Sequence, residues 1–223
     1  MTNSPAVIGL GLVALLAPAT LSGQDRTATD VVLNGKTVDW LVETAVLAAP
    51  AALRADAEVR GWTAEDRLAT LREGSNGLIC LADRPGDGEL AVACYHVGLE
   101  PFMERGRVLR REGVEGMERQ EARWREVEAG GLAMPVAGMV YNLGYGSEDI
   151  DPATFDPATA FRLHALYMRG ATTESTGISP EPGDGPWLMF PGKPSAHIMI
   201  GIPPKEASEE GGGRPPVPTT PSP

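Results

Sequence analysis

The stretch EGSNGLICLADRPGDGELAVACY, residues 73–95, decides the fold. Leu78 to Ala82 and Leu90 to Tyr95 are apolar runs of strand length, and Pro85-Gly86-Asp87-Gly88-Glu89 between them is built of turn-forming residues. The two cysteines of the chain, Cys80 and Cys94, fall one in each run. Setting them opposite each other centres a hairpin on residue 87, the Asp of Pro-Gly-Asp-Gly, where turn chemistry is densest. Two independent signals agree on one register. It places Leu78, Cys80 and Ala82 against His96, Cys94 and Val92 on one face, and Ile79 and Leu81 against Tyr95 and Ala93 on the other. Both faces are largely apolar, so the hairpin is expected inside a sheet and bridged by a Cys80–Cys94 disulfide.

Working upstream, Gly74-Ser75-Asn76-Gly77 is a turn, and Arg67 to Glu73 reads as a strand. The segment AEVRGW, residues 57–62, reads as another. Thr37 opens a helix over Val38 to Ala49, with Leu41, Ala45, Ala48 and Ala49 at helical spacing and Pro50 as its stop. Downstream, Glu100 to Ala129 is helical, as one helix or as two broken near Gly113, with an apolar stripe of Phe102, Leu109, Met117 and Trp124. Its Glu and Arg residues read as a solvated face. Gly138 to Gly144, Leu163 to Met168, Trp187 to Phe190 and His197 to Ile202 read as strands, and Asp151-Pro and Asp156-Pro as turns. The expected fold is α+β: a mainly antiparallel sheet of about five to seven strands with two or three helices packed on it.

The ends are of a different kind. Ala6 to Leu21 is uncharged and apolar, but shorter than the roughly 20 residues of a membrane-spanning helix and interrupted by Pro18. It reads as a signal-peptide core cut between Ala19 and Gln24, the alternatives being an uncleaved anchor or a buried helix. No Lys or Arg precedes it, so the true start lies upstream or the signal is weak. The expected organisation is a signal peptide over 1–24, a flexible lead-in over 25–36, one α+β domain over 37–202 and a disordered Pro-, Gly-, Ser-, Thr- and Glu-rich tail over 203–223. No later segment is apolar enough to span a bilayer.

Composition narrows the partners. A formal net charge of −11 with only three lysines repels phosphate backbones, so nucleic acid and anionic membranes are poor partners. Zinc needs four ligands, and His96, His164 and His197 are scattered while the cysteines are committed to each other. Glu148, Asp149, Asp151 and Asp156 lack the spacing of a calcium loop. Neither Gly74-Ser75-Asn76-Gly77 nor Glu174-Ser175-Thr176-Gly177 is a nucleophile elbow. Ser195 and His197 share a strand face without a nearby orienting carboxylate. No phosphate-cradling glycine motif occurs, so no cofactor and no metal is expected.

Glu73-Gly74-Ser75-Asn76-Gly77 followed by Cys80 and Cys94, then Gly138-Met139-Val140-Tyr141-Asn142-Leu143, then His197-Ile198-Met199-Ile200, resembles a set of uncharacterised exported bacterial proteins. They carry E-G-[ST]-N-G-x-x-C, G-[MI]-x-Y-x-L and P-H-[VIL]-M-[IV]. Leu78 stands where that pattern has an aromatic, and Ala196 where it has Pro. The resemblance implies a shared fold and export, adds weight to His197, and implies no activity.

Tyr141, His164, Tyr167, Trp187 and His197 concentrate in the strand-rich final third and are the candidate ligand site. His197, Met199 and Gly201 alternate with Ile198, Ile200 and Ile202, so with the isoleucines in the core His197 faces a cleft, a covering helix or water. The plainer reading of His197 is a buried group satisfied by a backbone hydrogen bond. The expected function is that of an exported non-enzymatic domain binding a small ligand or an envelope protein. The alternative is a hydrolase-like or metal-dependent enzyme using His197 and His164. Convergence of those imidazoles within about 4 Å marks the enzyme, and separate faces mark against it.

Overall fold

The computed structural model describes residues 31–205. The expected signal peptide, the first part of the lead-in and most of the tail lie outside them. The elements are α1 (Val38–Ala45), β1 (Glu58–Trp62), β2 (Leu68–Arg72), β3 (Leu78–Leu81), β4 (Leu90–His96), α2 (Glu100–Arg111), α3 (Gly116–Glu128), β5 (Ala137–Tyr145), β6 (Phe161–Met168), α4 (Thr173–Thr176), β7 (Trp187–Met189) and β8 (His197–Ile202). The strands form one sheet in the order β2-β1-β3-β4-β5-β6-β8-β7.

The β3–β4 hairpin has the register that the cysteines and the loop dictate. Leu78 pairs with His96, Ile79 with Tyr95, Cys80 with Cys94 and Leu81 with Ala93. Cys80 and Cys94 are disulfide-bonded and fully buried, and both strands lie inside the sheet.

Elsewhere the sheet is mainly antiparallel, as expected, but departs from the expected five to seven strands. It has eight and is mixed, because β1 runs parallel to β3. The Gly74–Gly77 turn does not close a β2–β3 hairpin. It carries the chain over the start of β1, so that β1 sits between β2 and β3. That crossover explains the turn's composition. A Cβ on Gly74 would lie 2.0 Å from the Glu58 backbone nitrogen, and Gly77 stands at φ 74°. The Ser75 N–H donates to the Asp56 carbonyl at 2.8 Å. Asn76 donates from Nδ2 to the Leu53 carbonyl at 2.7 Å, while its Oδ1 accepts from Leu78 N–H at 3.0 Å.

Helices cover both faces. Thr37 caps α1 by accepting from Trp40 N–H at 3.1 Å. The helix tightens to a 3-10 turn over Val46–Ala48 before Pro50, so the expected Val38–Ala49 helix ends in a narrower coil. Leu41, Ala45, Val46 and Leu47 pack with Val59, Leu78, Cys80, Val92, Cys94 and Leu143 on one face. On the other, Leu99, Phe102 and Met103 from the α2 region and Trp124 and Val127 from α3 pack on Ile79, Leu81, Tyr95, Val140 and Ala165. Of the two alternatives, one helix or two, the structure has two, broken near Gly113, which stands at φ 82°. It also corrects the apolar stripe: Phe102, Leu109 and Trp124 are buried, but Met117 is 50% exposed, since the break resets the helical phase.

The described part of the expected lead-in, residues 31–36, meets the end of β1. Val31 is buried and bridges Thr63, and Val32 N–H donates to the Trp62 carbonyl at 2.9 Å. Of the expected tail, residues 203–205 follow β8, and Lys205 N–H donates to the Ala158 carbonyl at 2.7 Å. The fourth helix, α4, is a single turn with a Thr172–Ser175 capping box, in a segment that sequence periodicity does not mark. No helix among the described residues is long and apolar enough to cross a membrane.

Gly74→Ala tests the crossover. The added methyl meets backbone that cannot rotate away, so unfolding free energy should fall by ~3 kcal/mol or more, read from urea midpoints. A variant that unfolds with the parent would show that the chain does not pass over β1 at this point.

Candidate functional site

Strand register separates the five candidate residues. Val59, Cys80, Cys94, Tyr141, His164 and Ile200 form one row across the sheet, on the face that α1 partly covers. Tyr167 pairs with His197 on the opposite face, and Trp187 pairs with Met199 on that same face. The structure therefore brings together Tyr141 with His164, and Tyr167 with His197. It does not bring His164 to His197, and the arrangement in which both imidazoles serve one reaction is not formed.

The Tyr141–His164 pair is an edge-to-face contact with centroids 5.1 Å apart. Burial and the nearby Arg162 cation both hold the His164 imidazole below its ordinary pKa. Its Nε2 is buried without a hydrogen-bond partner among the described residues.

The His197 side is more developed. The Ile198 face packs on a satellite cluster of Ala171, Leu188 and Ala196, which turns His197 toward α3. Its ring stacks on Tyr167 at 4.6 Å and meets Phe190 edge-on at 5.7 Å. Phe190 in turn meets Trp124 of α3 edge-on at 5.3 Å. Trp124 Nε1–H donates to Ser195 Oγ at 2.7 Å. His197 Nδ1 lies 2.8 Å from the Ser195 backbone carbonyl, not its hydroxyl. His197 Nδ1 and the Ser195 hydroxyl thus have different partners. Burial lowers the His197 pKa, partly offset by the Ser195 carbonyl, so the imidazole is neutral at pH 7.

Beyond this aromatic chain a groove of about 500 Å³ opens between α3 and the turn after β7. Its lining is apolar at Met117, Trp124, Phe190 and Pro191 and charged at Glu121, Arg125, Glu128 and Lys193. Lys193 Nζ stands 5.4 Å from the Trp124 ring. Phe190 has φ 54°, a left-handed conformation that costs a bulky residue about 1–3 kcal/mol and clusters at functional sites. Sequence reasoning reached Tyr167 and His197 but missed Trp124, Phe190, Ser195 and Met117 as one group. The signals available were the α3 stripe and the Pro191-Gly192 pair after Phe190.

One further buried group went unnoticed in the sequence. Asp83, 4% exposed at the end of the β3 run, accepts from Ala91 N–H at 3.2 Å through Oδ1. Its Oδ2 is buried without a hydrogen-bond partner among the described residues. Burial, with Asp87 and Glu148 adding repulsion, pushes its pKa up to about 7 against the hydrogen bonds from Ala91 and Arg84. Among the described residues no group of three or more His, Cys, Asp or Glu could hold a metal ion. No family model, no curated protein and no solved structure matches the chain.

The two buried titrations have opposite signs. The folded-state pKa of His197 is depressed, so its contribution is present above the unfolded value of about 6.5 and lost as pH falls. His197→Gln should melt lower at pH 7.5, having lost its stack on Tyr167, and should lose less stability than the parent between pH 6.5 and 5. Equal acid slopes would mean that the ring is not buried as described.

Asp83 binds its proton more tightly when folded, so its contribution falls as pH rises from about 4 toward 7. Asp83→Asn should therefore have a higher urea midpoint than the parent at pH 8, with the gain shrinking toward pH 4. A gain that is the same at both pH values would contradict a protonated buried carboxyl.

Proposed function

We propose that this protein is an exported, non-enzymatic binding domain whose α3 groove takes an extended polypeptide segment of a cell-envelope partner. The observation that carries the reading is Phe190. Its backbone is held in a costly conformation that fixes its ring between His197 and Trp124, on the wall of an open groove. Met117, displaced from the core by the α2–α3 break, adds an exposed thioether of the kind enriched at interfaces. A small ligand needs enclosure over most of its surface, whereas this groove is more open than enclosed, which favours a chain segment. Lining charges of both signs suit a peptide backbone with mixed polar side chains.

Export is supported by the apolar N-terminal run and by the Cys80–Cys94 disulfide, which persists in an oxidising compartment. The resemblance to exported proteins that share E-G-[ST]-N-G-x-x-C supports the same assignment.

A photo-crosslinking side chain at position 117, in cells exporting the protein, tests both parts. The expected result is a discrete adduct to one envelope protein, joined through an apolar segment and lost in Phe190→Ala. The same probe at Val136, which is 83% exposed and lies outside the groove, should not give it. Adducts identical from both positions, or none from position 117, would contradict the groove as the binding surface.

A further inference from the structure

Nine charged side chains run in an alternating series from the start of β1 to the tip of the β1–β2 turn. Glu58 meets Arg60, Arg60 meets Glu100, Glu100 meets Arg107, Arg107 meets Glu104 and Glu104 meets Arg111. Arg111 Nη1 donates to the Asp66 carbonyl at 3.0 Å. The Asp66 carboxylate then accepts from Arg110 Nε and Nη2, at 2.9 to 3.1 Å, and from Arg84 Nη2. Five guanidiniums thus share four carboxylates, and the imbalance falls at the open end. There the Arg84 side chain is 47% exposed, whereas that of Arg107, within the series, is 1% exposed.

The open end is also held in place. The guanidinium carbons of Arg84 and Arg110 lie 3.9 and 5.5 Å from the centroid of Trp62. The indole is itself anchored by its N–H donating to the Ala82 carbonyl at 3.1 Å. Asp66 comes to the pair from a tight turn, at φ 57° and with its N–H on the Thr63 carbonyl. Among the described residues, Arg84 Nε and Nη1 and Arg110 Nη1 meet no protein acceptor. A planar guanidinium fork fixed against an aromatic ring has little entropy left to lose on binding a carboxylate.

We propose that Arg84 and Arg110 on Trp62 form a second binding site, for a carboxylate group of an external ligand. Asp66 shows that the pair already accommodates a carboxylate and takes up only part of its donor capacity. The chain as a whole is acidic, at −11, so this cationic end is where an anionic ligand meets attraction. The carboxylate belongs either to a small dicarboxylic acid or to an acidic polypeptide, and the site uses none of the residues of the α3 groove.

The test follows arginine Nε–H resonances of the full disulfide-bonded protein at low salt, during titration with glutarate and, separately, with a hexaglutamate peptide. The expected result is a saturable shift at Arg84 and Arg110, with binding about tenfold weaker in Arg84→Gln. Arg84→Lys, which keeps the charge and loses the fork, should also bind more weakly than the parent. Tighter binding of hexaglutamate identifies a polypeptide source, and equal affinity identifies a small acid. No saturable shift with either probe in the millimolar range, or shifts unchanged in both Arg84 variants, would overturn the proposal.

Discussion

The pairing of Cys80 with Cys94 at the centre of the sheet is the constraint on which the rest depends. Both are fully buried, so the hairpin cannot slip by one residue without turning a disulfide and its apolar neighbours to the other face. The strands hydrogen-bonded outward from this pair keep its alternation. The ladder carries the cysteine row to Tyr141, His164 and Ile200 in one direction and to Val59 in the other. What lies on each face, and therefore what can act together, follows from it.

Each face is then sealed differently. α1 and its 3-10 extension lay aliphatic residues over the cysteine row, and the Cys94 sulfur lies 3.4 Å from the Ala45 carbonyl. The other face is covered by α2 and α3, and α2 is fixed by charge as well as packing. Arg107, almost wholly buried, bonds Glu100 and Glu104 at 2.7 Å, while the Tyr95 hydroxyl donates to Glu100 at 2.5 Å. Breaking one partner of such a pair leaves an uncompensated buried charge, which is far costlier than the pair is stabilising. This ties the helix to β4.

Sequence reasoning recovered the hairpin register, the Thr37 cap and the late strands, because each has a local signal: paired cysteines around a turn, a capping threonine, alternating residues; the helix-breaking Gly113 left one helix and two equally open. It missed the parallel β1–β3 pairing because a Gly-Ser-Asn-Gly turn reads the same whether it closes a hairpin or crosses a strand end. Only the close approach of Gly74 to Glu58 distinguishes them, and that contact is non-local. The site was half legible for the same reason. Alternation places His164 and Tyr167 on opposite faces of one strand, but which of them meets His197 depends on the β6–β8 register. The groove depends on Phe190 at positive φ and on Trp124 from a helix more than sixty residues earlier, a pairing that no spacing announces.

The central claim is that the cysteine register sorts the two imidazoles to opposite faces, each with its own tyrosine. Nuclear Overhauser contacts between aromatic rings in the disulfide-bonded protein test this directly. The account predicts cross-peaks between Tyr167 and His197, whose centroids are 4.6 Å apart, and between Tyr141 and His164, at 5.1 Å, with none linking the two pairs. A cross-peak between the rings of His164 and His197 would contradict it.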